Sequence, residues 1–108
     1  MDAHVDVELT FKSIKHLLDV SEALNRVQRL HTYSTIKTLC DCLESTIKDE
    51  DLWAGDIQYL FNELLSAYGS FVGVNPEQNS NPLSLAQTAL SSLMSSYISH
   101  KKRASETS

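Results

Sequence analysis

DLWAGDIQYLFNELLSAYGSFV, residues 51–72, is the stretch whose spacing decides the fold class of this chain. At about 100° per residue, Trp53, Ile57, Leu60, Phe61, Leu64, Leu65, Tyr68, Phe71 and Val72 fall on one broad stripe. Asp56, Asn62, Glu63, Ser66 and Ser70 fall on the other. That is a long amphipathic helix, with Trp53, Ile57, Phe61, Leu64, Tyr68 and Phe71 as candidate core and coiled-coil-like packing along it. Gly73 is the expected terminator, because glycine accepts the left-handed conformation at a helix end. Gly69 lies inside the helix at a cost of about 1 kcal/mol against alanine. The acids Asp49, Glu50 and Asp51 read as the N-terminal caps of this helix, where negative charge complements the dipole. Tyr59 falls on the polar side and is a candidate contact anchor.

Downstream, residues 74–81 read as a linker, with Asn81 as cap and Pro82 at the first helical position. Leu83, Ala86, Leu90, Leu93 and Tyr97 then recur at helical spacing, with Met94 and Ile98 beside them. The opposite face is Ser84, Thr88, Ser91, Ser92, Ser95, Ser96 and Ser99, and carries no ion. Serine is a mediocre helix former, so this helix needs its apolar stripe covered to be stable. Three placements are open: packed in its own domain with serine to water, docked on another chain through the stripe, or laid on a membrane surface by its basic end. Lys101, Lys102 and Arg103 suit a helix C-terminus, and 104–108 reads as a disordered tail.

Upstream, Val5 to Phe11 alternates apolar and polar residues, which predicts an extended N-terminal arm over 1–12. That arm could serve as a lone strand; the other reading of it is the first turn of a helix through Leu18. Asp19 and Glu22 have capping-box spacing, opening a helix with the face Ala23, Leu24, Val27 and Leu30. A second face, Ile36, Cys40, Leu43 and Ile47, lies on nearly the opposite side of the same helix, so a break is expected near His31–Thr35.

These pieces describe one all-α domain over 1–108, a three- to four-helix antiparallel bundle. With three glycines and two prolines in 108 residues, a turn-rich sandwich or barrel is disfavoured. The net charge of −5 disfavours unspecific nucleic-acid binding. The opening residues resemble no cleaved leader and no apolar run reaches membrane length, so a cytoplasmic location is expected. No cofactor and no metal is expected. Cys40 and Cys42 are two apart and point about 200° from each other on a helix, and no second cysteine pair completes a zinc set. The four histidines are dispersed, and no nucleophile motif or phosphate-cradling loop is present, so an enzyme is not expected.

The stretch LWAGDIQYLFNELLSAYGSF, 52–71, resembles the second helix of short bacterial and phage helical-hairpin proteins. NPEQNSNPLSLAQTALSSLMSSY, 75–97, resembles the proline turn and second helix of secretion-needle subunits, but differs in proline-to-glutamine spacing and aromatic pattern. No function is carried over from either. The functional expectation is a small non-catalytic protein-binding module (adaptor, chaperone or inhibitor), self-associating as a homodimer. Leu83, Leu90, Leu93, Met94 and Tyr97, with Tyr59, are its expected contact residues. On that expectation, removing 82–108 leaves a folded core. The alternative is a small nucleic-acid-binding regulator using a bent helix pair over 22–48 with Arg26, Arg29 and Lys37.

Overall fold

A computed structural model describes residues 5–74 and 81–107, and the statements below concern those residues. Four α-helices follow one another: α1 (Val7–Val20), α2 (Arg26–Asp49), α3 (Gly55–Val72) and α4 (Pro82–Thr107), with a 3₁₀ turn at Ser21–Ala23. Specific contacts fix the topology. Gln87 meets Asp19 and Tyr97 meets Phe11, so α1 and α4 are antiparallel. Tyr33 stacks on Tyr68 while Lys48 sits over Trp53, so α2 and α3 are antiparallel. Ser96 and His100 reach Asp56, which sets α4 antiparallel to α3. The result is an up-down-up-down bundle, α1 touching α2 and α4, and α3 closing the other side.

The chain is helical from Val7, so the extended arm expected over 1–12 is corrected within the described residues, among which there is no strand. Asp6 is the reason. Its carboxylate accepts the Leu9 N–H at 3.0 Å, capping α1, and Val7, Thr10, Phe11, Ile14 and Leu18 are buried at helical spacing. Alternation would have buried Leu9, which is 62% exposed.

The expected break at His31–Thr35 is also corrected: α2 runs unbroken from Arg26 to Asp49. The chain turns earlier, at 21–25. Asn25 and Gln28 form the capping box, with Gln28 N–H donating to Asn25 Oδ1 (2.9 Å) and Asn25 N–H to Gln28 Oε1 (3.0 Å). Asp19 stays inside α1, paired with Lys15 at 2.8 Å. The two apolar faces of α2 are reconciled differently. Thr32, Ile36, Cys40, Leu43 and Ile47 enter the core, while Val27 and Leu30 remain exposed. No bent helix pair spans 22–48.

Asp49, Glu50 and Asp51 close α2 instead of opening α3. Asp51 adopts φ 60, the Asp51 N–H donates to Lys48 O at 3.0 Å, and the Leu52 N–H donates to Ile47 O at 3.1 Å. This is a Schellman ending, which aspartate, unlike bulky residues, tolerates. Gly73, with φ 87, ends α3 the same way, through Val74 N–H to Gly69 O at 2.8 Å. Asn81 Oδ1 accepts the Ser84 N–H as the α4 cap. Most of the linker expected over 74–81 lies outside the described residues. The expected disordered tail is helical as far as Thr107.

One apolar core unites all four helices. Ile57, Phe61, Leu64 and Tyr68 are buried as expected, whereas Trp53 and Phe71 are only half-buried at its edge. Trp53 precedes α3 and stacks on Phe61 at 5.6 Å. Leu83, Leu90, Leu93 and Tyr97 face the same core, so the stripe of α4 is sealed within its own chain. Serine faces water, the first of the three placements.

Candidate functional site

α1, 14 residues long, packs against both α2 and α4. It stands as a ridge with an open groove on each flank. The α1–α4 groove has a volume of about 560 Å³, with Leu18 and Leu90 at its base and Met94, Ser91, Ser95 and Ile98 along one wall. It continues into a smaller apolar hollow of about 220 Å³ against Phe11, Met94, Tyr97 and Ile98. Ile98 is 54% exposed there. The α1–α2 groove, about 510 Å³, lies between Leu9, Leu17 and Leu39.

Of the expected contact residues, Leu90, Met94 and Tyr97 line the α1–α4 flank, but only Met94 offers appreciable surface. Leu83 and Leu93 are interior and line neither groove. Tyr59 is 63% exposed on α3, apart from both grooves. Ile98 was legible only as a flanking residue. Leu9, hidden in an apparent strand pattern, was not legible as a surface residue at all.

The basic trio of the nucleic-acid alternative is divided. Arg29 is an internal clamp: its Nε donates to Ser21 O (3.0 Å), its Nη2 donates to Glu22 O (3.1 Å), and its guanidinium lies 4.5 Å from the Phe71 ring centre. Arg26 and Lys37 are exposed on α2.

Two polar clusters invite a chemical reading. Asp56, at the start of α3, accepts the Ser96 hydroxyl and faces His100 Nε2 at 3.1 Å. The serine hydroxyl and, more weakly, His100 hold the Asp56 carboxyl below its usual range. The hydroxyl points at the carboxylate and not at the imidazole, so serine and histidine do not form a nucleophile–base pair. The trio ties α3 to α4. At the other cluster, Tyr97 donates its hydroxyl to Glu50 Oε1 at 2.8 Å. Burial, then Glu50, pushes the Tyr97 phenol well above its ordinary value. Asp6, Glu8 and Lys101 share that corner. Among the described residues, no three His, Cys, Asp or Glu side chains are grouped to hold a metal ion, and no helix is long and apolar enough to cross a membrane.

Cys40 is buried, and desolvation, with Asp41 adding to it, pushes its thiol up to about 12. Cys42 is half-buried. A thiol reagent at pH 8 is therefore expected to modify one cysteine of the folded chain, Cys42, and to reach Cys40 only after denaturant is added. Peptide mapping reads this directly; equal labelling of both would show that α2 opens locally.

Comparison with known protein families, with curated proteins and with solved structures found no match.

Proposed function

We propose that this chain is a small non-catalytic protein-binding module of adaptor, chaperone or inhibitor type, whose receptor surface is the groove between α1 and α4. The observation that carries this reading is an open trough whose base is the core itself, Leu18 and Leu90, and whose lip is Met94 and Ile98. Water in such a trough gains from displacement by apolar side chains. Residues 87–98 bound it, a length of about 16 Å along α4, which suits three turns of a partner's amphipathic helix.

The ground for expecting a homodimer has changed. The stripe that needed a second chain is covered inside this one, so a second copy has only the groove to occupy. No observation favours nucleic acid: the chain is acidic and Arg29 is engaged internally.

The test is selection of binders from a displayed library of amphipathic helices, with amide-shift mapping of the best on the intact chain. Shifts centred on Met94, Ile98 and the facing residues of α1 are expected. Ile98→Glu, at an exposed residue, should weaken binding at least about tenfold and change stability by no more than about 0.5 kcal/mol. Sedimentation of the chain alone identifies a second copy as occupant if a dimer forms and Ile98→Glu dissolves it. Binders that map elsewhere, or a library that yields none, would refute the reading.

A further inference from the structure

Two places in the chain set a serine or threonine within three residues after an arginine: Arg29-Leu30-His31-Thr32 and Lys101-Lys102-Arg103-Ala104-Ser105. A hydroxyl just downstream of basic side chains is what a kinase with a carboxylate-lined substrate groove reads. The fold treats the two oppositely. Thr32 is 9% exposed, and its hydroxyl donates to Gln28 O at 2.9 Å. Arg29 is committed to the Ser21 and Glu22 carbonyls and to the Phe71 ring. An enzyme reaches that pair only if α2 opens.

Ser105 stands at the other extreme. Tyr97 is the last side chain that α4 gives to the core, and His100, 3.1 Å from Asp56, ties the next turn to α3. From Lys101 to Glu106 every residue is exposed, with Lys101 lying over the Tyr97 ring at 5.7 Å. A helix end that buries no side chain opens locally at little cost, and an open end gives the extended backbone that a kinase cleft takes. Lys102 and Arg103 then precede the serine by three and two residues. Across Lys101 to Glu106 three cations stand against one carboxylate.

We propose that Ser105 is a phosphorylation site for a serine kinase that reads basic residues ahead of its target. Ser105 Oγ attacks the γ-phosphorus of a nucleoside triphosphate, and the bond from that phosphorus to the β–γ bridging oxygen breaks. The nucleoside diphosphate leaves with the electron pair, and the hydroxyl proton passes to the catalytic carboxylate of the kinase. The phosphate brings a charge of about −1.5 to −2, which cancels the cationic excess of Lys101 to Glu106. The basic end of α4 is thereby switched to near neutrality. The site lies beyond the α1–α4 groove, which reaches Ile98 along α4, and it does not depend on the protein-binding reading.

The test incubates the full chain with ATP and the purified catalytic domain of an arginine-directed serine kinase, and maps phosphate by peptide mass spectrometry. Phosphate should appear on Ser105 and not on Thr32, at a rate within about tenfold of that of a free peptide covering 98–108. Ser105→Ala should abolish it. Lys102→Glu with Arg103→Glu should slow it at least about tenfold with an unchanged melting curve. Ile98→Glu, in the groove, should leave the rate unchanged. Phosphate on Thr32 of the folded chain at a comparable rate, or on another residue in preference to Ser105, would overturn the inference. So would a free peptide that takes no phosphate, or indifference to the charge reversal. A full chain modified more than about a hundredfold more slowly than the peptide would show that the end of α4 stays closed, and would overturn it as well.

Discussion

Deletion of residues 82–108 is expected to unfold the protein. The expectation from spacing alone was a self-sufficient core with a detachable docking helix; the packing reverses it. Leu83, Ala86, Ala89, Leu90, Leu93 and Tyr97 are all core members, and Tyr97 packs edge-on against Phe11 of α1 at 6.0 Å. Full burial of one large apolar side chain is worth about 1.5–3 kcal/mol. Withdrawing four of them removes about 6–12 kcal/mol, comparable with a typical domain stability of about 5–15 kcal/mol, before counting the surface of α3 and α1 laid bare. The truncated chain should lose most of its far-UV ellipticity and its cooperative urea transition. Within the intact chain, Leu93→Ala should cost about 2–5 kcal/mol, since Leu93 has no solvent exposure. A truncated chain that still melts cooperatively would place the stabilising core in α1–α3.

Tyr68→Ala is the second large effect, expected to cost about 3–5 kcal/mol by cavity formation. Tyr68 is fully buried at the junction of α1, α2 and α3, with Tyr33 stacked at 6.3 Å and Phe71 at 5.7 Å. Its hydroxyl is 2.7 Å from Ser21 Oγ, which in turn donates to Leu17 O at 2.6 Å. This joint holds the turn between α1 and α2, with Arg29 clamping the Ser21 and Glu22 carbonyls over it. Tyr68→Phe keeps the packing and removes one buried hydrogen bond, so about 1 kcal/mol is expected. Ser21→Ala should behave similarly, and the double variant should cost less than the sum because both remove the same bond. Fully additive losses in urea titrations would deny the pairing.

The same two buried phenols set an alkaline limit. Burial raises the pKa of Tyr68 and Tyr97 in the folded chain above the unfolded value of about 10. A raised folded value means the folded state keeps protons that the unfolded state releases. The contribution is therefore complete below about pH 10 and is lost as pH climbs toward the folded values. The urea midpoint should fall above about pH 10, and Tyr68→Phe should blunt the fall.

How much of this was readable beforehand depended on whether a residue's role was local. The helices α3 and α4, Gly73 as left-handed terminator, Asn81–Pro82 as a start, and Ile57, Phe61, Leu64 and Tyr68 as core are all set by periodicity and backbone preference within a few residues. The errors came where two local signals competed. Alternation over 5–11 competed with Asp6 as a cap, and the cap with its buried i, i+3, i+4, i+7 partners prevailed. Asp49–Asp51 fitted a helix start by charge and a helix end by geometry, and the left-handed Asp51 decided for the end.

The sequence by itself determined that this chain is helical, where two of its helices lie and which residues share a face, because propensity, capping and periodicity act over one or two turns. Only the tertiary structure decided what covers each face: that the α4 stripe belongs to its own core, that Arg29 is a clamp, and that the unfilled surface lies along both sides of α1. The physical reason is that burial of an apolar stripe is non-directional. A face states how much surface must leave water, and only the lengths and turns of the neighbouring helices determine which surface meets it.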